Sequence, residues 1–426
     1  MGERTSRRGC CLGCVGVGAL VVLVPGLVLW LNNRPPNDVV ISPPPMPAAN
    51  GYDDVARAAA MLKNRVHLFA ASMPPDHPGA YTLADDEAAY SEARPALDAL
   101  HVALGKPYQN PPPRIPDVGF PGYAMLREAA RTLAGAAEYK ARIGRYAEAM
   151  DYALDGEELG VILPRGGGQI ADLVGIAIEA ISLRHVEEYL PKLAPKNLEH
   201  VSARLERIAS RRVPYSDVLL GEAGASCAVL KDTLSSLNVT SPAQFYSRIR
   251  SLADIPDERR PNAAEALKMA RLAFRSKSAM LRQALAYYRA VSAEATGPYT
   301  GHSAAPAPDV PFLSGEPDVV VRCWGLHVAR QAVFDVLRVE VALMRYRADN
   351  GRYPDRLDSL VPRYLRVVPT DVCAGKPGIP LRYHVNDAGR SFVLYSVGPN
   401  LRDDGGAFAR NPSEGGDIVA GHLNGR

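Results

Sequence analysis

Glu179 is the residue of this chain most suggestive of chemistry, because it lies in the middle of the apolar run Val174–Leu183, VGIAIEAISL. A carboxyl removed from water holds its proton to higher pH, as a general acid must. Glu179 is also offset by about 100° from its apolar neighbours, which places it equally well at the edge of a helical stripe. Arg184 and Lys192 are near enough in sequence to pair with an acid there. Three glycines precede the same helix in PRGGGQIADL, Pro164 to Leu173. Open amides at a helix N-terminus can hold an anion. A phosphate loop also needs a preceding strand and a Lys-Ser/Thr pair, which are missing, so the run reads as a helix connection.

The other reactive side chains form no known constellation. Asp151, Asp155, Glu157 and Glu158 read as a solvated helix face. The nine histidines contain no HExxH and no HxxxH, and none accompanies a serine nucleophile elbow. His185 reads as a partly buried structural residue. Cys11 and Cys14 form a lone C-x-x-C that enters an apolar segment rather than a strand-to-helix turn. Cys227, Cys323 and Cys373 are too scattered for a zinc site, and their odd number leaves one unpaired.

The chain has 426 residues, of which 47% are hydrophobic and 22% charged. That is globular, and long for a single core. A net charge of +3 without a dense basic block excludes binding along nucleic-acid phosphates.

The elements that would position these residues begin with an uncharged run, Cys11 to Leu31. About 20 apolar residues suffice for a transmembrane helix. Arg4, Arg7 and Arg8 precede it, so residues 1–10 are expected in the cytoplasm and the bulk outside. The exit, VLWLNNRPP, lacks the small residues of a signal-peptidase site. Residues 32–50 are rich in proline and read as a stalk. A helical domain follows over 51–296. Its clearest helix carries Ile170, Leu173, Val174, Ala177, Ile178 and Ile181 at three and four spacing, a stripe expected to face the core. AEYKARIGRYAEAMDYAL resembles a tetratricopeptide helix hairpin, with Gly144, Tyr146 and Ala149 at its turn. No second copy occurs, so it predicts a hairpin and not an array.

Residues 297–317 are rich in Gly, Pro and Ser and read as a linker to a last domain, 318–426. Val319–Asn350 is expected as one long helix, stopped at Gly351. Leu381–Val385 and Ser391–Val397 read as strands joined by the turn NDAG. The fold class expected overall is mainly α: a transmembrane helix, a large all-α body and a small C-terminal α+β domain.

The order YRADNGRYP, LDSLVPRYLRVVPTD, PLRYHV, FVLYSVGPN, DDGG and GGDIV resembles the periplasmic domain of the major pseudopilin of type II secretion systems. The resemblance covers roughly the last 100 residues. It implies a long helix packed on a small sheet. It also implies a calcium ion in the closing loop, held by Asn400, Asp403, Asp404 and Asp417 with carbonyls near Leu401. Asn400 stands where the family has an acid, and AFARNPSE lengthens the loop. The prepilin-peptidase motif is missing, and a long insertion separates the apolar run from the stem helix. Neither processing nor polymerisation as a pilin is therefore expected.

Together these features predict a membrane-anchored structural or interaction protein of the bacterial envelope, at the inner membrane, with an unknown envelope protein as partner and no catalytic activity. The alternatives are a secretion-system component and an enzyme with an unfamiliar site in the helical body.

Overall fold

The structure is a computed structural model. It describes residues 25–41, 45–63, 82–112, 121–237, 242–253, 255–256, 258–310, 313, 316–408 and 416–423. Its helices are α1 (Tyr52–Leu62), α2 (Leu83–Leu104), α3 (Pro121–Arg142), α4 (Tyr146–Ile162), α5 (Gly168–Tyr189) and α6 (Pro195–Arg211). They continue as α7 (Tyr215–Ser235), α8 (Pro242–Leu252), α9 (Ala263–Phe274), α10 (Lys277–Glu294) and α11 (Glu316–Asn350). The strands are β1 (Arg382–Asn386), β2 (Ser391–Ser396) and β3 (Ile418–Val419).

The chain forms two compact units. The smaller gathers Met1–Ser42, Ser226–Tyr287 and Pro306–Glu316. The larger gathers Pro43–Ala225, Tyr288–Ala305 and Pro317–Arg426. The C-terminal residues 318–426 therefore belong to the same unit as most of the helical region before them.

Among the described residues no helix is long and apolar enough to cross a membrane. This overturns the transmembrane helix at 11–31, the fold class that contained it and the single-pass inner-membrane location. Residues 11–24 lie outside the described residues. Residues 25–32 are helical, a length of about 12 Å set against about 30 Å of hydrocarbon. That helix ends within the smaller unit, where Asn32 Nδ2 donates to Phe274 O and Asn33 Nδ2 to Ala273 O, each at 2.6 Å. The residues expected as a stalk pack there too. Asn33, Pro36 and Val39 are buried, Arg282 donates to Asp38 at 2.7 Å, and Lys231 Nζ donates to Val39 O at 2.7 Å.

In the larger unit α1 to α4 share an apolar core, with Leu62, Leu97, Leu100, Leu104 and Leu133 almost fully enclosed. Thr82 and Asp85 form a capping box that starts α2. The α3–α4 hairpin turns at Gly144, whose φ of +79° is left-handed, and Ala149 beyond it is buried. Next, α4 crosses α5 nearly backbone to backbone. A Cβ on Gly160 would lie 2.7 Å from Gly175 O and 2.5 Å from Glu179 Cγ, so only glycine fits.

Helix α5 leaves part of its expected hydrophobic stripe outside the core. Ile170 is 42% and Leu173 36% exposed, and Ala177 is exposed as well. Val174 and Ile181 are half-buried at the margin of the core. Buried with Ile178 are Ala171, Asp172, Gly175, Glu179, Ser182, Leu183, His185, Val186 and Tyr189. The reason is α4, which offers α5 a surface of glycines and acids rather than a row of large apolar side chains.

Long helix α11 is buried over much of its middle, with Val320, Trp324, Phe334, Leu337 and Leu343 almost fully enclosed. It stops at Gly351, whose φ is +75° and whose N–H bonds Arg347 O at 2.8 Å. The sheet has order β1-β2-β3, antiparallel throughout, with His384 opposite Val393 and Tyr395 opposite Val419. Asp387 and Ala388 take positive φ in the β1–β2 turn, as a tight hairpin requires. Buried Asp371 pins the approach to the sheet, accepting from Ser396 Oγ at 2.6 Å, Val397 N at 3.0 Å and Cys373 N at 3.0 Å.

Candidate functional site

The densest collection of chemically capable side chains lies where α4, α5, α6 and α11 meet, inside the larger unit. Glu157 and Glu158 on α4 are fully buried, and Asp155 is 2% exposed. The expectation of a solvated face for this string fails at these three residues; Asp151 keeps it, at 41% side-chain exposure. Gly156 and Gly160 thin this side of α4, so α5 closes over it, with Ser182 against Gly156.

Each of these acids meets a cation. Arg330 of α11 bridges two helices, with Nη2 on Glu157 at 2.6 Å and Nε on Glu179 at 3.1 Å. Glu179 also accepts from Arg212, just past α6, at 2.8 Å. Glu158 takes Arg207 at 2.8 Å and Arg211 at 2.6 Å. Asp155 takes Arg204 at 2.7 Å and His101 at 2.9 Å. Further along α11, Arg338 joins Glu206 at 2.7 Å and Asp335 at 2.8 Å.

The electrostatics divide Glu157 from Glu179. Burial opposes ionisation of Glu179, yet Arg212 and Arg330 outweigh it and hold the carboxyl below its usual range. The expectation of a proton-holding acid at Glu179 is therefore reversed. Glu157 is hydrogen-bonded by Arg330, and burial pushes its carboxyl up to about 7. One of its oxygens is enclosed without a partner. His185 is 3% exposed and faces the Tyr189 hydroxyl at 3.1 Å; burial, aided by Arg184, lowers its imidazole to about 4, so it is neutral.

The glycine turn before α5 does meet an anion, but one from the chain itself. Gly168 has a φ of +70°, and the Glu222 carboxylate accepts from Gln169 N at 2.9 Å. A Cβ on Gly168 would lie 2.6 Å from that carboxylate. One turn from this start, Asp172 binds His327 Nδ1 at 2.9 Å. The outer His327 nitrogen and the second Asp172 oxygen are enclosed without partners. Such a pair orients a general base in many enzymes, but a base must touch the proton it removes. At 4% and 2% exposure, under the Tyr215 ring at 5.3 Å, this pair clamps α11 to α5.

The four residues expected to hold calcium are brought into one loop but not into a cage. Asp417 accepts from Asp404 N at 3.2 Å and Gly406 N at 2.6 Å. Asn400 Nδ2 donates to the Asp404 carboxylate at 3.0 Å. Asp403 takes Tyr395 Oη at 3.0 Å and Arg382 at 3.1 Å. Their oxygens are engaged by N–H and O–H donors, and among the described residues no group of three or more His, Cys, Asp or Glu is placed to hold a metal ion. Cys227, Cys323 and Cys373 are all buried.

Sequence reasoning missed the network because its two halves lie far apart, with Glu157 and Arg330 separated by 173 positions. The available signal was local: Gly156 and Gly160, four apart on a helix and next to two glutamates, mark a face where another backbone approaches. No family model matches this chain, and neither does any curated protein or solved structure.

Proposed function

We propose that this chain is a structural interaction protein, in which the charged interior of the larger unit is bracing and the apolar face of α5 is the contact surface. The observation that carries this reading is the orientation of α5. Ile170, Leu173 and Ala177 recur at i, i+3 and i+7 and stay exposed, while the charged face is buried. A contiguous exposed apolar stripe on a folded protein marks a place where something else packs. Its helical spacing suits an apolar helix of a partner protein laid along it. Residues 318–426 would be a pseudopilin-like module whose stem helix is shared with the neighbouring helices. The element order, long helix then glycine stop then antiparallel hairpin, supports that part.

The test is site-specific photo-crosslinking in cells from Ile170 and Leu173, with exposed Leu83 on α2 as the control position. The expected result is a discrete partner adduct at the first two positions and none at the third. That partner, once purified, should bind the wild-type chain and lose at least about tenfold in affinity to Leu173→Asp, or about 1.4 kcal/mol. Adducts no different from the control, or binding indifferent to Leu173→Asp, would defeat the proposal.

A further inference from the structure

Helix α9, in the smaller unit, turns an apolar stripe to solvent. It starts at the Asn262 capping box, and the side chains it buries are Met269 and Leu272. On the opposite face Ala263, Leu267, Ala270 and Phe274 recur at i, i+4, i+7 and i+11. All four are exposed, Leu267 at 53% and Phe274 at 46%. A helix of a globular protein normally turns such a stripe to the core.

A second apolar element adjoins it. The helix over 25–32 carries Leu27, Val28, Trp30 and Leu31, all exposed. Its end is tied to the end of α9, because Asn32 Nδ2 donates to Phe274 O and Asn33 Nδ2 to Ala273 O. Both elements belong to the smaller unit, so the two apolar surfaces adjoin at the Phe274 end of α9.

An exposed apolar surface of this kind marks a contact, and the residues around it indicate with what. The Arg34 guanidinium lies 3.8 Å over the Trp30 ring. Trp and Arg both set an apolar body in hydrocarbon while a polar tip stays at headgroup level. Arg271 is exposed on α9 between Leu267 and Phe274. The sequence of the smaller unit carries 14 Lys and Arg against 9 Asp and Glu, a net +5, in a chain whose total is +3. Of its acids, Asp38, Glu265 and Asp309 are already paired with Arg282, Arg259 and Arg275.

We propose that this surface of the smaller unit docks on an anionic lipid bilayer, lying on it and not crossing it. Trp30, Leu267 and Phe274 enter the boundary between headgroups and acyl chains, and Arg34 and Arg271 meet the lipid phosphates. Apolar burial and attraction to anionic lipid then act in the same contact. The surface is distinct from the α5 stripe, which belongs to the larger unit.

Cosedimentation of the full chain with lipid vesicles tests this. Vesicles enriched in phosphatidylserine should bind it at least about tenfold more tightly than vesicles of phosphatidylcholine alone. Phe274→Asp and Leu267→Asp should each weaken binding to the anionic vesicles by at least about tenfold. Both positions are exposed, so the melting curves should stay those of the wild type. Leu173→Asp on α5 should bind the vesicles as the wild type does. Trp30 emission should shift to the blue on binding, and Trp30→Phe should abolish the shift, since the other tryptophan, Trp324, is 3% exposed. No binding to anionic vesicles would overturn the proposal. So would binding that both α9 variants leave unchanged, which would put any lipid contact elsewhere on the chain and leave this surface to a protein partner.

Discussion

At the scale of single residues, glycine decides where the charges go. Gly160 has no room for a Cβ beside Gly175 and Glu179, and this contact lets α4 and α5 close over Glu157. Gly160→Ala should therefore destabilise the protein by about 1–3 kcal/mol, the usual cost of overpacking a tight core. Gly224 in α7 has nothing within 4 Å of its Cβ position. Gly224→Ala should be neutral or stabilise by up to about 1 kcal/mol through helix propensity. Urea unfolding of the two variants beside the wild type checks both; equal effects would mean that the α4–α5 approach is not tight. The same crossing explains how one acid of the cluster ends above its usual range and another below. Glu179 has two guanidiniums and Glu157 shares one.

At the scale of elements, the C-terminal segment shows what the sequence could and could not reveal. The helix stop at Gly351, the two strands and their turn were legible, because turn chemistry and alternation are local. So was the α3–α4 hairpin at Gly144. The surroundings of α11 were not. Its sequence reads as one long stem helix, yet Arg330 and His327 tie it to α4 and α5, and Arg345 bonds Ser202 of α6 at 3.0 Å. These partners are more than a hundred positions away and leave no periodic trace. A segment starting near Pro317, which looks autonomous by its linker, should therefore not fold alone. Removing one partner from a buried ion pair costs about 3–5 kcal/mol. Cutting here strands His327, Arg330 and Arg338 together. Circular dichroism and near-ultraviolet signals of that segment should lack a cooperative transition; a sharp two-state melt would show that α11 needs only the sheet.

At the scale of the whole molecule, three-and-four spacing correctly described a largely helical chain, but the hydrophobic pattern misled at two places. The apolar run at 11–31 read as a membrane span, and among the described residues no helix is long and apolar enough to be one. The stripe on α5 read as a core face, and Ile170 and Leu173 are exposed. On α5 the pattern registered apolar residues at helical spacing without registering what they face. In the larger unit, ion pairs join α4, α5, α6 and α11, and Ile170, Leu173 and Ala177 of α5 stay exposed. The most direct measurement is equilibrium unfolding of two single variants of α5. Ile170→Gln should change stability by no more than about 0.5 kcal/mol, as a surface substitution does. Glu179→Leu, which leaves Arg212 and Arg330 without their shared carboxylate, should cost about 3–5 kcal/mol. The reverse order, with Ile170→Gln costly and Glu179→Leu tolerated, would mean that α5 buries its apolar stripe and that the charged interior is not what holds this protein together.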